Sequence, residues 1–174
     1  RMLNTEVVNA GVGGYSASDW YIEKAGDYDY TDYDTVIIWL GTNNGLTDTL
    51  DTDVDPFGGY NDFAETETGY YCRIIETVKD ANPDARIVLM NIFATKSDVK
   101  TTNETINKIA AKYDLHVIDT KSLSMDKNTD LHAGLKNPHF GKGGNIAAAR
   151  LIIRDMGNYF AERPLRCEYG VSTA

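Results

Sequence analysis

Cysteine is scarce: Cys72 and Cys167 are the only two in 174 residues. That is too few, at too wide a separation, for a disulfide framework or a metal knuckle. Each reads as a buried thiol, and pairing would require the segment after residue 162 to fold back onto the helix that carries Cys72. Long apolar runs are missing too, which excludes a membrane span. The opening Arg1-Met2-Leu3-Asn4 lacks the basic-then-apolar pattern of a targeting signal. Basic residues are in deficit, 17 against 26 acidic for a net charge of -9, so nucleic-acid phosphates and anionic membranes are disfavoured as partners. The Gly-Lys-Ser/Thr of a phosphate loop is absent. Gly11-x-Gly13-Gly14 has the wrong third spacing for a dinucleotide fingerprint, which argues against a nucleotide or flavin binder. No obvious nucleophile stands out.

What is present is an alternation of short β-like and helical runs, the mark of a parallel α/β sheet. Thr5-Val8 reads as a strand, followed by a helix over Ser16-Ala25 with Ser16 or Ser18 as its cap. Thr35-Leu40 is the next strand. A helix over about Asn61 to Asp80 carries Tyr70, Tyr71, Ile74, Ile75 and Val78 at helical spacing and stops at Asn82-Pro83. Arg86-Asn91 is a strand, Val99 to Tyr113 a helix with Ile106, Ile109 and Ala110 inward, and Leu115-Ile118 a short strand. From Lys142 to Phe160, the spacing of Ile146, Ala149, Ile153, Met156 and Phe160 predicts a final amphipathic helix. Residues 1–162 form one expected domain, and 163–174 a tail or the start of a further segment.

Chemistry gathers in three places. Val36-Ile37-Ile38-Trp39-Leu40 stops at Gly41-Thr42-Asn43-Asn44, a strand end of the kind where α/β folds place their ligands. The neutral amide of Asn43 can donate to a developing oxyanion without adding a competing charge. Asn9-x-Gly11-x-x-Gly14-x-Ser16 joins a strand to a helix and can turn backbone N–H groups into the cleft. His139, in a loop stiffened by Asn137-Pro138, can serve as a general base, with His132 as its rival. His116, on a strand, is structural. The acidic loop Asp48, Asp51, Asp53, Asp55 resembles the opening of a calcium loop, but Pro56 stands where glycine is required and no glutamate closes it. A solvated, substrate-facing loop is the simpler reading.

Asn9-Ala10-Gly11-Val12-Gly13-Gly14, then Gly41-Thr42-Asn43, then His139-Phe140-Gly141-Lys142-Gly143-Gly144 leading into a helix resemble the second, third and fifth blocks of the SGNH (GDSL-type) hydrolases. The matches span roughly Thr5 to Phe160. The resemblance implies a three-layer α/β/α sandwich of flavodoxin-like topology that hydrolyses esters through an acyl-enzyme. Gly14 and Asn43 would be the oxyanion donors and His139 the base, with no metal or organic cofactor. The family's nucleophilic serine belongs to a Gly-Asp-Ser motif on a central strand, between the strands to which Thr5-Val8 and Thr35-Leu40 correspond. That first strand is missing from this chain, so the expectation is that an upstream segment supplies both strand and serine. Lys136 stands where the family has its Asp. Asp130, or a backbone carbonyl, is then expected to orient the imidazole. By analogy the substrate is an O-acetylated carbohydrate. Asn44 would line its site, and Tyr15, Trp20, Phe57 and Tyr60 would stack on sugar rings. The competing expectation is a catalytically silent carbohydrate-binding module of a larger surface or virion protein.

Overall fold

Ile87, Val88, Leu89 and Met90 are apolar at consecutive positions, the pattern of a strand covered on both faces, and all four side chains are buried. In a computed structural model of the chain, residues 6–50, 63–93, 98–124, 129–132 and 139–162 are described. The apolar run is the middle strand, β2 (Arg86–Met90), of a parallel sheet. It is flanked by β1 (Thr35–Ile38) and β3 (His116–Ile118). The register pairs Ile37 with Val88 and Leu89 with Val117.

Alternation along β2 divides the core in two. Ile87 and Leu89 join one cluster with Tyr71, Ile74, Ile75 and Val78 of α2 (Glu67–Ala81) and Ile106, Ile109 and Ala110 of α3 (Val99–Tyr113). Ala17 and Trp20 of α1 (Ala17–Lys24) belong to the same cluster. Val88 and Met90 face the other way, against Ala148 and Leu151 of α4 (Lys142–Glu162). Helices on both faces of a parallel sheet give three α/β/α layers. The crossover helices α2 and α3 lie on one face, and α4 returns on the other. No helix among the described residues is long and apolar enough to cross a membrane.

Helix limits follow local chemistry. Ser16 accepts from Asp19 N while the Asp19 carboxylate accepts from Ser16 N, a complete capping box. Thr66 caps α2 by accepting from Gly69 N at 3.1 Å. Asp98 caps α3 by accepting from the Lys100 and Thr101 amides. Asp114 then ends α3 with φ +52°, a left-handed stop.

Four expectations need correction. Residues 6–8 of the expected Thr5-Val8 strand are not in a sheet, and Val7 and Val8 are 76% and 48% exposed. Among the described residues no strand pairs with this segment, and β1 pairs only with β2. β1 stops at Ile38 rather than Leu40, its last pair being Ile38 with Leu89, and the Trp39 indole just beyond donates to the Asn91 carbonyl. α2 starts at Glu67, after the cap, rather than near Asn61. The inward stripe of α4 runs through Ala148, Leu151, Ile152 and Met156, while Ile146 faces outward. Periodicity alone selects the neighbouring stripe of the same helix.

Candidate active site

The chain turns sharply after β1, and glycine makes the turn possible. Gly41 has φ +107°, a conformation that L side chains rarely adopt. A Cβ there would also meet the Thr102 methyl at 3.0 Å. Thr102 supports the turn from α3, its hydroxyl accepting from Leu46 N at 3.2 Å. Asn44 is left-handed at φ +59°, and Gly45 N donates to the Asn43 carbonyl at 2.7 Å. The resulting loop lifts Asn43 and Asn44 above the carboxyl end of β1.

The glycine block approaches from the side. Asn9 folds onto it by accepting from Gly11 N at 3.1 Å, and the Trp20 indole donates to the Ala10 carbonyl at 2.8 Å. Gly14 takes φ +88° and stays exposed, just before the Ser16 cap of α1. The two segments then meet: Asn43 Nδ2 donates to the Tyr15 carbonyl at 3.2 Å. Both residues expected to hold an oxyanion therefore belong to one hydrogen-bonded unit. The Tyr15 hydroxyl turns away to donate to Glu23, and that carboxylate raises the phenol's pKa.

A carboxylate with no distinguishing mark in the sequence buttresses the unit. Glu67, first residue of α2, accepts from Ser18 N at 3.0 Å, Ser18 Oγ at 2.8 Å and Asn44 Nδ2 at 2.9 Å. Burial works against its charge, but the hydrogen bonds from Asn44, Ser18 and Ser16 outweigh it and hold the carboxyl below the ordinary glutamate range. Ser16 is the N-cap of α1, and Glu67 takes a further N–H of its first turn, that of Ser18. Asp48 adds a second tie, its carboxylate accepting from Thr68 N at 3.4 Å.

The ends of β2 and β3 are fixed by amides as well. Asn103 of α3 accepts from Ile92 N at 2.8 Å and donates to the Ile92 carbonyl at 2.9 Å. The Asn91 carbonyl accepts from Trp39 Nε1 at 3.1 Å and Thr120 Oγ1 at 2.8 Å. Above them Trp39, Phe93, Phe140 and His132 form a ring cluster with centroid separations of 5.1 to 6.2 Å. The sequence signal for these ties was an asparagine at a strand end and another one turn into the next helix.

The histidines have separate places. His116 lies on β3 at the opposite end of the sheet, bonded to Asp155 and stacked on Tyr159 at 4.0 Å between centroids. His132 is buried, and its Nε2 donates to the Leu123 carbonyl at 3.1 Å. His139 is exposed immediately before α4. An antiparallel bridge joins His132 to Phe140, and Gly141 N donates to the Leu131 carbonyl at 2.9 Å. Gly144 lets α4 start there, since a Cβ would lie 2.1 Å from that same carbonyl. In this register exposed Asp130 and His139 run away from the bridge in opposite directions.

Among the expected sugar-stacking rings, Trp20 is instead a core residue stacked on Tyr28. Phe57, Tyr60, Lys136, Pro138 and Cys167 lie outside the described residues, as do Asp51, Asp53 and Asp55. Cys72 is fully buried in α2.

The profile of the GDSL-like lipase/acylhydrolase family matches residues 1–145. No curated protein matches. A possible lipase from Chitinophaga pinensis superimposes with TM-score 0.58 at 18% identity, over 88% of this chain and 84% of its own. A carbohydrate esterase of family 3 from Talaromyces cellulolyticus gives 0.57 at 16%, over 86% and 70%. A peptidoglycan O-acetylesterase gives 0.60 at 16%, over 86% of this chain and 45% of its own. At such identities the likeness is one of fold.

Proposed function

Because this chain belongs to the GDSL-like lipase/acylhydrolase family, we propose that it is the oxyanion-hole and base portion of a serine esterase that removes O-acetyl groups from carbohydrate. The observation that carries the reading is the hydrogen bond from Asn43 to the Tyr15 carbonyl. An amide has two N–H donors, and orienting Asn43 uses one of them. The second serves the oxyanion together with Gly14 N–H.

In this scheme the nucleophilic serine comes from a segment outside the described residues, expected upstream of residue 1, that adds a strand to the edge of β1 left unpaired among the described residues. Two features support that placement: Ile37 of β1 is 39% exposed, and Val7 and Val8 stand unpaired in solvent. Serine Oγ attacks the ester carbonyl and His139 takes its proton. As the tetrahedral intermediate collapses, His139 returns that proton to the departing sugar hydroxyl and leaves an acetyl-serine. Water, deprotonated by His139, then releases acetate. The steps require no metal or organic cofactor. Asn44, Tyr15 and Phe57 are the proposed substrate contacts. The preference for acetylated polysaccharide rests on the carbohydrate and peptidoglycan esterases that share the fold.

The test is acetate release from p-nitrophenyl acetate and from acetylated polysaccharide by the full-length protein. Turnover abolished by His139→Ala is the expected result. Tight binding of the acetylated glycan without turnover would identify a silent binding module instead.

A further inference from the structure

The geometry points to Glu67 as the positioning residue of the oxyanion-binding loop: its carboxylate clamps Asn44, beside Asn43, to the start of α1, beside Gly14. This inference rests on the reading of Gly14 and Asn43 as oxyanion donors. Glu67 is 49 residues from Ser18 and 23 from Asn44, yet one carboxylate accepts from both. Its oxygens divide the work. Oε1 takes the Ser18 hydroxyl and the Asn44 amide, and Oε2 takes the Ser18 backbone N–H.

Capping accounts for part of this arrangement, the bond to Ser18 N in the first turn of α1, but not for the bond to Asn44. Thr66 already caps α2 by accepting from Gly69 N. An acidic residue in the first helical turn satisfies the dipole wherever its carboxylate points, whereas this one reaches to two other segments. The held residue sits in the turn that carries Asn43. Asn44 is left-handed at φ +59°, a conformation that asparagine tolerates but that is not its preferred one, and the bond to Glu67 anchors its side chain there. With Asn44 fixed, Asn43 stays within reach of the Tyr15 carbonyl. Glu67 thus joins the two halves of the donor set a second time, outside the cleft. It touches no reacting atom and acts through Asn43.

A double-mutant cycle on the full-length protein tests the assignment, reading kcat and KM for p-nitrophenyl acetate with Glu67→Ala, Asn43→Ala and the pair. Asn43→Ala is expected to lower kcat about 100-fold. Glu67→Ala should lower kcat about 10-fold at nearly constant KM, and should lower it no further once Asn43 is gone. Glu67→Gln retains one acceptor oxygen and should fall between wild type and Glu67→Ala; it replaces Glu67→Ala in the cycle if that variant does not fold. Full additivity of the two losses, or a Glu67 loss confined to KM, overturns the positioning role and leaves the oxyanion reading intact. An unchanged kcat in Asn43→Ala, or no turnover by the wild type, overturns both.

Discussion

Asn43 and Tyr15 are joined by a 3.2 Å hydrogen bond from side-chain amide to backbone carbonyl, across 28 residues of sequence. That bond makes the turn after β1 and the glycine block one object. Replacing Asn43 by Asp keeps the shape, removes both N–H donors and sets a carboxylate against the Tyr15 carbonyl. Activity of Asn43→Asp should fall below that of Asn43→Ala, by about another factor of 10, because a negative charge then faces the oxyanion as well. Steady-state kinetics on the two variants check this, and equal rates would remove the oxyanion from the account.

The two histidines near α4 should separate by assay. His132 is 7% exposed, bonded to the Leu123 carbonyl and packed against Phe93 and Phe140. His132→Ala should cost about 2–4 kcal/mol of stability, from the lost packing and an unsatisfied carbonyl. His139→Ala should abolish turnover and leave the unfolding free energy from urea titration within about 0.5 kcal/mol of wild type, as expected of an exposed side chain.

Much of this was legible in the sequence. The continuous apolar run of β2 and the helical spacing of Tyr70 to Val78 announced the sheet and α2, because burial on a face leaves a period. The first strand misled because a β-like composition does not make a strand without a paired neighbour, and among the described residues no strand pairs with residues 6–8. Glu67 was invisible because its partners lie 23 and 49 residues away, and a single acidic residue in a helix's first turn has an ordinary local explanation.

Gly143 and Gly144 are adjacent and should respond in opposite directions. A Cβ on Gly144 would sit 2.1 Å from the Leu131 carbonyl oxygen and 2.5 Å from the Phe140 ring. Gly144→Ala should therefore destabilise by about 3 kcal/mol and displace the turn that carries His139. A Cβ on Gly143 meets nothing within 4 Å. Gly143→Ala should stabilise α4 by about 0.5–1 kcal/mol. Urea titration of the two variants checks both signs.

Asp130 should be dispensable. It is exposed, and the antiparallel bridge at His132 and Phe140 carries it along one segment while His139 runs the other way. Asp130→Asn should retain kcat within about 2-fold, against the loss of about 10⁴ that follows when a true triad acid is made an amide. A loss of that size in the pH profile's neutral region would restore Asp130 as the orienting acid.

Glu67 should make stability depend on acid. Its folded-state pKa is depressed, so its contribution is fully present above the unfolded glutamate value and is lost as pH falls through the folded one. The proton removes acceptor capacity that Ser18 and Asn44 use, which loosens α1 and the Asn43 loop together. Wild type should therefore lose more stability than Glu67→Gln as pH falls below about 4. The gap between the two urea midpoints should be widest near neutrality, where only the carboxylate accepts from all three donors. Parallel pH curves for the two proteins would mean that the carboxylate is solvated and that the Ser18 and Asn44 bonds contribute nothing to the fold.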